Sequence, residues 1–390
     1  MLKLIYDTTS YVVSSFGNIF STRTEFGTSS TFSLVGTVEE NKSGPVLLAL
    51  VYNESVWIVT PRCVEAYCLS DLKIRNFVLR VDQGDSVGTC CTSHDFELTG
   101  YTSTSSSPLV TSVKEDLQLF CTGQRGYVSH LNLRTKEFLK IPLDKTSCNY
   151  TASLYDHRTK VLFLGTAEGH IYKIDFENRA GDCILNYNDS ISTLCWVKRS
   201  MWTGLADGTV NVAGFDNTAD TVLQTGGGSV QSISFCPTFG VVFVLSGCDT
   251  VTVWDAFNLV VVSRFDSTLI GCGASLTCLK CTENSLGTSD SFSLILLAGI
   301  DGSVTIRQIT RRAQDGKLQC VLLRNFENVF ADLTGERIPC TYISSITDTV
   351  VVGSAGVLVS LVSPLSQLVS PVTLGTSLSS SIARVESGLK

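Results

Sequence analysis

The chain has 390 residues, 17% of them charged, with a formal net charge of −7 and a pI near 5.2. That acidity argues against a general nucleic-acid binder, which carries a basic stripe. Abundant Ser, Thr, Val, Leu and Gly with few long charged residues favour strands and turns over helices, and no stretch approaches the roughly 20 apolar residues of a membrane-spanning helix.

The N-terminal run MLKLIYDTTSYVV is broken by Asp7 and two threonines, so it lacks the order of a secretory signal and reads as the beginning of the fold. Two segments, LKLIYDTTSYVVSSFGNIFST (2–22) and LALVYNESVWIVTPRCVEAYC (48–68), align without a gap at an offset of 46. Each reads as three short strands. Further along, a strand, a turn of small residues and a second strand recur in LFCTGQRGYVSHLNL (119–133), LFLGTAEGHIYKIDF (162–176), MWTGLADGTVNVAGF (201–215), VFVLSGCDTVTVWDA (242–256), LLAGIDGSVTIRQI (296–309) and VVVGSAGVLVSLV (350–362). Asp207-Gly208 and Asp301-Gly302 are hairpin dipeptides, expected to take positive φ at both turn positions.

Gly123, Gly165, Gly204, Gly247, Gly299 and Gly353 anchor these hairpins at intervals of 42, 39, 43, 52 and 54 residues. Such a period matches one four-stranded blade per repeat of a β-propeller. An apolar strand ahead of each hairpin supplies the blade's inner partner. The count favours eight blades over seven. If 2–22 carries three strands of the first blade, QLVSPVTL (367–374) is the expected fourth, closing the ring and removing an open sheet edge. The expected organisation is therefore an all-β propeller over 1–374 and a Ser-rich tail over 375–390, with surface loops at 99–112 and 311–319.

With these repeats and the Val253-Trp254-Asp255 ending, the chain resembles the WD40-repeat family over nearly its whole length. The other repeats end in IDF, GFD, RQI or SLV, and the family's Gly-His pair ahead of the repeat core is absent. The resemblance implies a rigid platform whose loops hold partners.

Chemistry-bearing motifs are sparse. His94, His130, His157 and His170 each stand alone in a different repeat, without a nucleophile beside them. Cys278 and Cys281, with Cys272 nearby, have a metal-like spacing, but positions three apart on a strand diverge. The odd total of fifteen cysteines argues against a disulfide framework. Gly226-Gly227-Gly228 precedes a strand and lacks a following Lys-Ser or Lys-Thr, so it reads as a flexible link between blades. No cofactor or metal is expected, and no enzyme.

The loops between the second and third strands of each blade carry the sharpest functional signal. Two neighbouring loops are basic, with Arg158 and Lys160 in one and Lys198 and Arg199 in the next, and Phe239 follows in a third. Asp7, Glu54, Glu115 and Asp116 make earlier loops acidic, polarising the face. Arg and aromatic side chains are common interface anchors, so this surface suits a protein partner with an acidic segment. The expected function is a non-catalytic scaffold, a subunit or adaptor of an intracellular complex in the cytoplasm or nucleus. The alternatives are an enzyme using the central channel and a peptide-capturing adaptor like checkpoint and nuclear-pore propellers, which SISTLCWV faintly resembles.

Overall fold

Every apolar run that the sequence pairs into a hairpin forms two antiparallel strands in the computed structural model. The structure describes residues 2–6, 9–13, 18–23, 33–37, 48–52, 55–68, 74–81, 86–93, 117–123, 126–143, 149–156, 159–176, 180–214, 220–247, 249–266, 275–284, 292–311, 317–327, 342–346, 349–354 and 357–361. Among them are eight antiparallel sheets, each in simple chain order. They occupy residues 2–37, 48–80, 87–142, 150–186, 191–224, 230–266, 276–326 and 342–361; the last has three strands and the others four. The first strand of one sheet lies against that of the next in the pairs one–two, three–four and onward to seven–eight, and the first sheet also meets the eighth. This is a β-propeller, with the larger of the two expected blade numbers.

Burial explains the sequence pattern. The second strand of the sixth sheet, Val241–Ser246, is buried at every residue, because it is covered on both faces by neighbouring sheets and so reads as a continuous apolar run. The outer strand Arg75–Arg80 alternates between exposed and half-buried, as a strand with one wet face does. The core is a set of seams between adjacent sheets. Phe120, Val128 and Ile141 of the third sheet meet Leu162, Leu164 and Tyr172 of the fourth, and Trp202 and Val210 of the fifth meet Val242 and Val244 of the sixth.

Side chains add polar stitching. Ser232 Oγ donates to the Leu279 carbonyl at 2.7 Å and Ser234 Oγ accepts the Cys281 N–H at 2.8 Å, joining the inner strands of sheets six and seven. Each inner strand from sheet four to sheet seven also has a register shift at its second residue, Thr151, Ser192, Gln231 or Thr277. Three of these are hydroxyl residues that donate to carbonyls of the adjacent second strand, at Gly165, Gly204 and Ala298.

Several expectations change. Ser33–Thr37 is the fourth strand of the first sheet, so that place is not left for 367–374, which lies outside the described residues with the tail 375–390 and the loop 99–112. Asp207-Gly208 and Asp301-Gly302 close turns in which only the glycine has positive φ, 87° and 79°. Gly208 N–H donates to Leu205 and Gly302 N–H to Gly299, both at 3.2 Å, and Gly169 and Gly126 repeat that bond. The carboxylates of Asp207 and Asp301 accept the N–H two residues on, which holds each aspartate outside the positive-φ region.

The glycine ladder is also less regular than its spacing. Gly165 and Gly204 share one register position, but Leu245 and Ala298 hold it in sheets six and seven. The Gly226–Gly228 link is tightly packed: a Cβ on Gly208 would lie 2.7 Å from the Gly227 carbonyl oxygen.

Candidate functional site

The loops singled out for binding, expected between second and third strands, instead join the first and second strands of each sheet, counted outward from the inner strand. Val197 pairs with Ser200, so Lys198 and Arg199 form a two-residue connection in the fifth sheet. In the fourth sheet Lys160 immediately precedes the second strand. Connections from third to fourth strand emerge at the same end of the ring and complete the surface.

Lys160 is exposed, Arg199 is exposed and Lys198 is half-buried; Arg158 lies outside the described residues. Lys160 and Lys198 have φ of 56° and 58°, a left-handed conformation costing a side-chain-bearing residue roughly 1 kcal/mol. In the sixth sheet Gly240 takes φ 64° at the position matching Lys160. The fold therefore holds these two lysines, and with them Lys136 and Leu259 at φ 62° and 55°, in backbone conformations that suit glycine.

Lys198 does not stand alone in solvent. Its Nζ sits 2.8 Å from the ring centroid of Phe257, a residue 73% exposed on the turn between the third and fourth strands of the sixth sheet. Asp255 builds that turn by accepting the N–H groups of Phe257 and Asn258, both at 2.8 Å. These bonds, with Lys198 nearby, hold the Asp255 carboxyl below the usual carboxylate range. Trp254, the other half of the Trp-Asp ending, is buried in the seam between sheets five and six.

Phe239 is half-buried against the seam between sheets six and seven. Arg311 reaches it from the seventh sheet: the guanidinium carbon lies 5.7 Å from the ring centroid and Nη2 donates to the Phe239 carbonyl at 3.4 Å. Phe257 thus takes the exposed aromatic position expected of Phe239. Sequence reasoning missed both Phe257 and Arg311. The available signal was Asp255 followed by Phe-Asn, an Asx turn that lifts residue 257 out of the sheet.

Charge differs between the ends. Arg134 and Lys136, on a turn of the third sheet with Glu137, extend the basic surface and are exposed. At the opposite end the described turns between second and third strands carry Glu168, Asp207, Asp249 and Asp301 against Arg62. The acidic loops expected at Asp7, Glu54, Glu115 and Asp116 lie outside the described residues.

The remaining motifs are packed into the fold. His130 shares a 2.6 Å hydrogen bond between Nε2 and Gln118 Oε1 and stacks on Phe120 at 5.2 Å, and burial lowers its pKa. Cys281 is buried in the six–seven seam. Burial likewise raises the Cys320 thiol to about 11, with Arg307 opposing. Among the described residues no group of three His, Cys, Asp or Glu could hold a metal ion, and no helix is long and apolar enough to cross a membrane. His94, His157 and Cys272 lie outside the described residues.

No family model and no curated protein matches the sequence. Solved structures do. The computationally designed Ika8 protein is 14% identical with a TM-score of 0.60, covering 92% of this chain and 94% of its own. A chain of a mitotic checkpoint complex is 12% identical with a TM-score of 0.54, covering 85% and 98%. BamB from Moraxella catarrhalis is 13% identical with a TM-score of 0.56, covering 92% of each chain. At these identities the likeness is one of fold.

Proposed function

We propose that this propeller is a non-catalytic, WD40-like interaction scaffold that holds a protein partner with an acidic segment on the basic end of sheets four to seven. The observation that carries the reading is Lys198 and Phe257 packed together next to Arg199, with Lys160 on the corresponding loop of the neighbouring sheet and both lysines kept in left-handed backbone. Exposed arginine and aromatic groups are the side chains that anchor protein interfaces, and backbone strain retained at a surface is a mark of use.

The reading as a binder rather than an enzyme is supported by the inner strands, where the hydroxyls of Thr151, Ser192 and Thr277 are engaged with carbonyls. An intracellular role, as a subunit or adaptor in cytoplasm or nucleus, suits cysteines that, among the described residues, are mostly buried or half-buried.

Affinity purification from the native cells, comparing wild type with the Lys160→Glu, Arg199→Glu double variant, tests this. Loss of a defined set of partners from a folded variant is expected. An unchanged partner list removes the basic end from the function.

A further inference from the structure

A second candidate site lies between the second and third sheets, away from Lys160, Lys198 and Arg199. A cavity of about 210 Å³ opens between the second and third sheets. Its floor is made by Val64, Val87, Leu119 and Leu131, all buried. Leu79 and Phe138 also line the cavity, and Phe138 is 43% exposed.

The mouth is cationic. Arg80 and Lys140, both exposed, line it, one from the outer strand of each sheet. No acidic side chain is among the described residues that line the cavity. Lys140 is set in place by local packing: a Cβ on Gly123 would overlap the Tyr127 ring, so glycine lets that ring lie across the strand, and Lys140 Nζ rests 3.6 Å from its centroid.

We propose that this groove binds an extended peptide of another protein, which inserts one Leu or Phe side chain and sets carboxylates beside Arg80 and Lys140. The volume fits, since an apolar cavity of about 150 Å³ already accepts benzene. The charge fits, since two cations on an acidic protein complement carboxylates flanking the apolar side chain. The strands bordering the groove, Arg75–Arg80 and Phe138–Pro142, are both outermost in their sheets, so each presents main-chain groups that an extended peptide can pair with. A fatty acid brings one carboxylate and no amides, and uses less of this surface.

The test uses the full chain and fluorescein-labelled hexapeptides in which Leu, Phe or Gly is flanked by Asp, together with a Leu peptide flanked by Lys. Fluorescence polarisation is expected to show binding of the Asp-flanked Leu or Phe peptide, with the Gly and Lys peptides at least about tenfold weaker. Arg80→Glu and Lys140→Glu, at exposed positions and checked by thermal unfolding, should each weaken binding about tenfold. Ser129→Phe should fill the cavity and abolish it. Equal binding of Leu and Gly peptides, or binding untouched by both charge reversals, overturns the proposal. So does binding of dodecanoate without binding of any peptide, which makes the groove a site for an anionic lipid. The Lys160→Glu, Arg199→Glu variant should bind these peptides normally; loss there places the peptide on the basic end and overturns the groove while leaving the scaffold reading intact.

Discussion

The seam between sheets six and seven supports Phe239 and Arg311, so its polar stitching offers a sharp test of how the platform is kept rigid. Ser234→Ala removes the acceptor for the Cys281 amide. Ser234 and Cys281 are 4% and 7% exposed, so water does not readily replace the lost oxygen. Leaving a buried donor unpaired costs about 1–3 kcal/mol. Ser232→Ala removes the half-buried bond to the Leu279 carbonyl, for which about 0.5–1.5 kcal/mol is expected. Because both serines stitch the same pair of strands, the double variant should deviate from additivity. Urea unfolding reads the stability, and native-state hydrogen exchange reads the Cys281 amide, which should lose protection in Ser234→Ala and keep most of it in Ser232→Ala. A stability change below about 0.5 kcal/mol, with Cys281 exchange unaltered, would refute the claim that Ser234 joins these sheets.

Gly165→Ala should destabilise by about 1–3 kcal/mol, since its Cβ would fall 2.5 Å from Ile191 Cγ2; thermal unfolding checks this. Phe257→Ala removes the contact with Lys198 and, because the ring is otherwise largely exposed, should cost no more than about 1 kcal/mol while weakening partner binding in a pull-down. Lys198→Met removes a cation from that ring, for which a loss of about 0.5–1 kcal/mol is expected. The turn at Asp255 has a depressed folded pKa, so its contribution is present above the unfolded pKa and lost as pH falls through the folded value. Stability measured on descending below about pH 4 should therefore drop less steeply in Asp255→Asn than in wild type.

The repeat period was legible in the sequence because second strands, buried on both faces, must be continuous apolar runs such as Val241–Ser246. Outer strands were harder to see. Ser33–Thr37 and Thr221–Gln224 are short, and the latter is exposed at three of its four residues, so neither stands out as an apolar run. The glycine spacing misled at Gly247 and Gly299 because Leu245 and Ala298 fit where Gly165 and Gly204 meet a close neighbour. Sequence placed Lys160, Lys198, Arg199 and Phe239 on loops of one face, which the structure reproduces. It did not show that Phe239 turns toward the core or that Phe257, from a different connection, covers Lys198. Those facts depend on contact between sheets, and no spacing within one repeat encodes them.

The central claim is that the basic end of sheets four to seven is the working face. Hydrogen exchange of the purified protein, alone and bound to its captured partner, tests it most directly. Protection is predicted at residues 159–160, 198–199 and 256–260. Protection confined to the opposite turns, at 167–169, 206–208 and 300–302, would contradict the account.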